Sequence, residues 1–117
     1  SVIEPIERLV LSNVMLAGVA GLVKTLADEL APDGIRINNL MPGRIDTERV
    51  AQLDRLAAER QGTRFDDVRA QSIATIPLGR LGTIDEYGTA AAFLLSPAAS
   101  YITGAILRID GGKMRSI

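Results

Sequence analysis

Hydroxyl groups are the main chemical resource of this sequence. Histidine and cysteine are both absent. The usual general base near neutral pH and the commonest metal ligand are therefore missing. So are a thiol nucleophile, a disulfide framework and a thiolate metal site, and no metal is expected to bind. Ser12 opens a helical stretch, where serine acts as a helix-start residue or as a contact to substrate or water. Ser1 reads as a chain-end residue. Pro42-Gly43-Arg-Ile-Asp-Thr47 is a turn followed by a threonine able to cap a helix. Tyr87 and Tyr101 fall on other elements. Arg80 is either a substrate contact or a surface salt-bridge partner, and we favour the second. No G-x-G-x-x-G or G-x-x-x-G-x-G phosphate loop is present, and Gly79, Gly82 and Gly88 do not follow a strand as such a loop requires. This chain alone is not expected to hold a dinucleotide tightly.

The elements that must position these groups follow from apolar spacing. Val10, Val14, Ala17, Leu22, Leu26 and Leu30 recur at helical intervals and predict one long helix from about Leu9 to Leu30. Gly18 and Gly21 on it leave room for close backbone approach. Pro32-Asp-Gly34 should stop the helix. Ile35 to Met41 predicts a strand, and Pro42-Gly43 ends it. Thr47 or Asp46 should cap a helix through Val50, Leu53 and Leu56, which Gln61-Gly-Thr63 breaks. A short helix is expected over Asp66 to Ala74. Thr83-Ile-Asp-Glu86 is a capping box, opening a helix to about Leu95 that Ser96-Pro97 ends. Ala105 to Ile109 predicts the last strand, closed by Gly111-Gly112.

Helices joining apolar strands favour parallel α/β packing. Two strands make a poor sheet alone, so the chain looks like half a domain. Its 117 residues, 47% hydrophobic with a net charge of −1, suit a buried core and give no basic surface for nucleic acid or an anionic membrane. The longest apolar runs are short and interrupted, so no membrane span is expected. Ser1-Val-Ile-Glu-Pro lacks the basic leader of a signal peptide, and a cytoplasmic protein is the default.

Two phrases carry more than these patterns do. They are Ala31-Pro-Asp-Gly-Ile-Arg-Ile-Asn-Asn-Leu-Met-Pro-Gly-Arg-Ile-Asp-Thr47 and Ile76-Pro-Leu-Gly-Arg-Leu-Gly82, the latter running on to Thr103-Gly-Ala-Ile-Leu-Arg-Ile-Asp-Gly-Gly112. Together they resemble the C-terminal half of a short-chain dehydrogenase/reductase, similar to 3-oxoacyl-carrier-protein reductases. The resemblance implies the C-terminal part of a Rossmann-like, doubly wound parallel sheet in three α/β/α layers. Residues 1–117 would be the C-terminal portion of a single domain whose N-terminal, dinucleotide-binding half is absent. It implies NAD(P)-dependent carbonyl reduction or alcohol oxidation by the full-length parent, with NAD or NADP as cofactor and a small carbonyl or alcohol as substrate. A homodimer or homotetramer is expected, built partly on the long helix.

That family's reaction uses a Ser, a Tyr and a Lys, the Tyr four residues before the Lys on the long helix. The Lys charge lowers the tyrosine pKa from near 10. Matching Gly21-Leu-Val-Lys-Thr-Leu-Ala27 to the family puts the Tyr position at Ser12 and the Lys position at Leu16. Ser1 matches the substrate-binding Ser. Pro42, Gly43, Ile45 and Thr47 match the loop whose backbone contacts the nicotinamide amide, with the Thr hydroxyl reaching the amide or a phosphate. Asp110-Gly-Gly112 matches a structural closing turn. Residues from Glu48 to Thr75 lie where the family places its substrate lid. Losing both Tyr and Lys leaves a second reading open, a non-catalytic relative acting as a binding or scaffold subunit. A free-standing half that pairs with a separate N-terminal chain is a third.

Overall fold

A computed structural model describes residues 10–115 of the chain. It forms two compact units. Among the described residues, the first holds residues 10–41, Ala91–Leu107 and residues 114–115, and the second holds Pro42–Ala90 and Arg108–Lys113.

In the first unit, helix α1 spans Val10–Leu30 and buries Ala27. Gly104, at φ +68°, closes on this spot, since a Cβ there would sit 3.3 Å from the Ala27 side chain. Leu26 and Leu30 are partly covered, whereas the stripe further up is exposed among the described residues: Val14 is 63% and Leu22 56% exposed. Nothing lies within 4 Å of a Cβ placed at Gly18 or Gly21, so the close approach expected there is not made by described residues. By length and composition the segment Val10–Asp33 is apolar enough to cross a membrane, with mean hydropathy 1.6 over its best window. Length and composition alone do not decide the expectation that no segment spans a bilayer. Ser12, Asn13 and Lys24 interrupt the apolar runs but barely lower a window average. Core helices of soluble proteins share the property. The helix stops as expected, in a tight turn over Ala31–Asp33 and a left-handed Gly34 whose N–H donates to the Ala31 carbonyl.

Strand β1 is shorter than expected, spanning Asn39–Pro42 and not starting at Ile35. Before it, the Ile37 carbonyl accepts from the Gly104 N–H at 2.7 Å, and the neighbouring residues bond through their side chains. Arg36 donates to the carbonyls of Leu94, Ile102 and Ser96 at 2.8, 3.2 and 3.3 Å, and Asn38 donates to Ile102 while accepting from the Ala105 N–H. Apolar alternation at Ile35 and Ile37 therefore does not by itself make a ladder. Strand β2 spans Ile106–Ile109 and pairs with β1. Asn39 N–H donates to Ala105 O and Gly43 N–H to Ile109 O, both at 2.8 Å. The two bonds advance together along both segments, which makes the pair parallel.

In the second unit, α2 (Glu48–Gln61) and α3 (Phe65–Ala74) pack on each other. Thr47 caps α2 by accepting from the Val50 N–H, and Gly62 ends it at φ +63°. Ile45, Ala58, Val68 and Ile76 are buried here. Helix α4 spans Ile84–Leu95. Its capping box forms as expected: Thr83 N–H donates to Glu86 Oε2 at 2.8 Å and Glu86 N–H to Thr83 Oγ1 at 3.1 Å. Arg80 grips the same carboxylate with both terminal nitrogens, at 2.9 and 2.6 Å, as the salt-bridge reading of Arg80 expects.

Those bonds hold the Glu86 carboxyl down at about 2, from an ordinary 4.5, with the Arg80 hydrogen bond the largest cause and the Thr83 N–H next. A depressed carboxyl contributes stability above its unfolded value, and loses it as pH falls through its folded value. The Glu86 contribution is therefore complete above pH 4.5 and gone below about pH 2. Denaturant midpoints of wild type and Glu86→Gln should converge on acidification across that window. Parallel curves would reject the assignment.

Candidate functional site

The loop after β1, from Gly43 to Thr47 within the second unit, bends at Arg44 and again at Thr47, with Ile45 bridged to Gly82 between them. Its residues part onto two sides, one at a pocket and one at a cluster of charges. Gly43, Ile45 and Thr47 line a pocket of about 310 Å³, together with Pro42, Val50, Ile84 and Tyr87. Arg44 and Asp46, between them, engage in ion pairs with α2 and α3. All four residues expected to face a cofactor in this loop thus share one pocket.

Ile45 forms an isolated parallel bridge with Gly82. The bonds of that bridge belong to its neighbours: Gly82 N–H donates to Arg44 O at 3.0 Å, and Asp46 N–H donates to Gly82 O at 2.8 Å. In a parallel pairing this leaves the N–H and C=O of Ile45 itself directed to the opposite edge. One donor and one acceptor on one residue match the two hydrogen-bonding groups of a primary amide. Thr47 Oγ1 accepts from Val50 N–H at 3.3 Å, so its own O–H remains a donor. Apart from these groups and the Tyr87 phenol, the lining is apolar and suits a flat, uncharged ring.

Two glycines let the backbone close up around this site. A Cβ on Gly43 would lie 2.5 Å from the Asp110 Cα, and one on Gly82 would lie 2.8 Å from Ile45 Cδ1. A smaller cavity of about 130 Å³ is lined by Arg44, Arg80, Glu86 and Asp110 with Leu78, Gly82, Ile109 and Gly111. Its charges are of both signs and already paired in part, Arg80 with Glu86 and Arg44 with Asp54.

Ser12 lies on the first described turn of α1, in the first unit, and is half-buried. Leu16 follows one helical turn later and is 40% exposed. Ser1 lies outside the described residues. Sequence reasoning passed over two contributors. Tyr87 was placed only on another element, yet it lies three residues after Ile84, shares its helix face and lines the pocket. Asp54 was not singled out. Its signal was present in the sequence, because it stands midway between Val50 and Ala58 at helical spacing, a carboxylate on an otherwise apolar stripe.

Comparison with known proteins identifies the family. A family model described as enoyl-(acyl carrier protein) reductase matches residues 6–113. The chain is 40% identical over 96 residues to 3-oxoacyl-(acyl-carrier-protein) reductase FabG of Vibrio harveyi, a match covering 82% of this chain and 35% of that protein. A solved short chain dehydrogenase family protein from Francisella tularensis subsp. tularensis is 33% identical, with TM-score 0.82, over 86% of this chain and 42% of that one. YwfH, an NADPH dependent reductase involved in bacilysin biosynthesis, is 35% identical with TM-score 0.90, over 97% of this chain and 43% of that one. The chain thus spans about a third of the length of the curated relative and under half of the solved ones. With nearly all of its length matched and its backbone superposing on those structures, the chain belongs to the short-chain dehydrogenase/reductase family, has a Rossmann-like α/β fold and resembles 3-oxoacyl-(acyl-carrier-protein) reductases.

Proposed function

We propose that the complete protein is an NAD(P)-dependent oxidoreductase of small carbonyl or alcohol substrates, and that this chain is its C-terminal portion. The single observation that carries the reading is Ile45, whose N–H and C=O are left by the Gly82 bridge to meet a carboxamide at the wall of an apolar pocket. The pocket would hold the nicotinamide ring, with Thr47 donating to the amide or a phosphate. When bound, the cofactor supplies hydride transfer. The chain's residues hold the ring flat and exclude water from one side of it. NADPH in the YwfH description supports a nicotinamide cofactor and leaves the choice between NAD and NADP open. The adenosine and phosphate contacts would come from an N-terminal half, since no Gly-rich phosphate loop occurs in these 117 residues. The uncovered apolar stripe of α1 suits burial against that half and a second copy, in a cytoplasmic homodimer or homotetramer.

A panel of ketones and 3-oxoacyl thioesters, assayed with NADPH and NADH by loss of reduced-cofactor absorbance, tests the activity. We expect consumption on at least one carbonyl, slow by family standards because Ser12 and Leu16 occupy the Tyr and Lys positions. Cofactor binding with no consumption on any carbonyl would instead support the non-catalytic binding or scaffold subunit, which the same two residues favour.

A further inference from the structure

We infer that Asp54 is a positioning residue for the pocket, holding the Gly43–Thr47 wall in register from behind; the inference rests on the reading of that pocket as a ligand site. Asp54 is 2% exposed, the one buried charged side chain among the described residues. Its Oδ1 pairs with Arg44 Nη2, and its Oδ2 lies 3.4 Å from Arg69 Nε. Arg69 Nη2 in turn holds Asp46 Oδ1 at 2.8 Å, while its guanidinium lies over the Phe65 ring, 5.2 Å from the centroid. Arg44 and Asp46 are the two residues of the wall that alternate with Gly43, Ile45 and Thr47. Both rear-facing side chains of the segment therefore end in one cluster, centred on a single carboxylate of α2.

The cluster holds two guanidinium groups and two carboxylates, so its formal charge cancels. Such a buried network is a poor way to gain stability, because desolvation of the ions offsets most of their attraction, and apolar groups of similar size do as well or better. What it supplies is direction. Arg44 Nη2 on one Asp54 oxygen, and Arg69 set between Asp54 and Asp46, fix the side of the segment that each charge occupies. A slip of one residue at the Ile45–Gly82 bridge would exchange the two sides of the segment. Arg44 and Asp46 would then enter the apolar pocket, and Ile45 would be driven into the charges. The network forbids that slip. It also ties the pocket wall to α2 and α3 together, so a shift of either helix is passed to Ile45.

The test uses the complete protein and two readouts. Hydrogen exchange at residues 43–47 follows the Gly43 and Asp46 amides, whose bonds to Ile109 O and Gly82 O report the register. NADPH titration reads the pocket. Asp54→Asn should speed exchange in this segment beyond any change inside α2, and should weaken NADPH about tenfold or more, as loosening a supporting shell does. The apolar triple Arg44→Met, Asp54→Leu, Arg69→Met should recover the melting temperature without recovering either readout. A purely structural role predicts that both readouts recover together with the melting temperature, and a triple with wild-type exchange and wild-type affinity overturns the inference. Should the buried substitutions fail to fold, Asp46→Ala removes a partner whose side chain is 61% exposed. Faster exchange at the segment then supports the inference, and unchanged exchange overturns it. If wild type binds no NADPH, the pocket reading falls, and the exchange results still decide whether Asp54 sets the register.

Discussion

Ser12→Tyr combined with Leu16→Lys should raise turnover of the complete protein on a simple ketone by about 10²–10⁴-fold, the usual worth of a positioned acid–base group. Helix α1 carries the two positions on consecutive turns of one face, one half-buried and the other 40% exposed. A serine hydroxyl is too weak an acid to deliver a proton as hydride arrives, and Leu16 provides no charge to tune it. A phenol alone starts from a pKa near 10. It becomes useful near neutral pH once an ammonium one turn away favours its ionised form. Each single change should therefore gain little, and the pair should exceed the product of the two. Steady-state kcat for the four proteins checks this. Ordinary family rates in the unaltered protein, unchanged by Ser12→Ala, would show that the proton comes from elsewhere.

Gly43→Ala should lower stability by about 1–3 kcal/mol, the range for forcing one extra carbon into a filled space, and abolish tight cofactor binding. The clash is with backbone as well as side chain: the new carbon would meet Asp110 Cα at 2.5 Å and Asp110 Cβ at 2.6 Å. Neither atom can swing aside as a side-chain terminus can. Relief requires moving the loop, and with it the 2.8 Å bond from Gly43 N–H to Ile109 O. Ile45, two residues on, would move too. Denaturant unfolding and an NADPH titration read the two effects, and a variant with wild-type midpoint and affinity would contradict this account of the site.

Local chemistry was legible in the sequence where one segment decides the outcome. The proline-glycine stop after α1, the Thr47 cap and the Thr83–Glu86 capping box each involve neighbours in the chain, and each forms as expected. The pocket wall was legible for a related reason, since Pro42, Gly43, Ile45 and Thr47 fall within one six-residue phrase that the family resemblance singled out. Misreadings arose where distant segments decide. The early start assigned to β1 ignored Arg36 and Asn38, whose side chains bond residues more than fifty positions away. The Asp54 cluster draws on β1's loop, α2 and α3, and no local pattern announces such a meeting. The stripe on α1 was read correctly as apolar, but periodicity cannot say what covers it.

Titrating the complete protein with NADPH, following the nicotinamide's own fluorescence, tests the central claim most directly. The account places the ring against Ile45 and Thr47, so saturable binding is expected, in the micromolar-to-millimolar range usual for enzyme ligands, and Gly43→Ala should abolish it. NADH in place of NADPH should follow the same pattern at its own affinity. Absence of binding by both cofactors, or binding that Gly43→Ala leaves untouched, would contradict the assignment of this pocket.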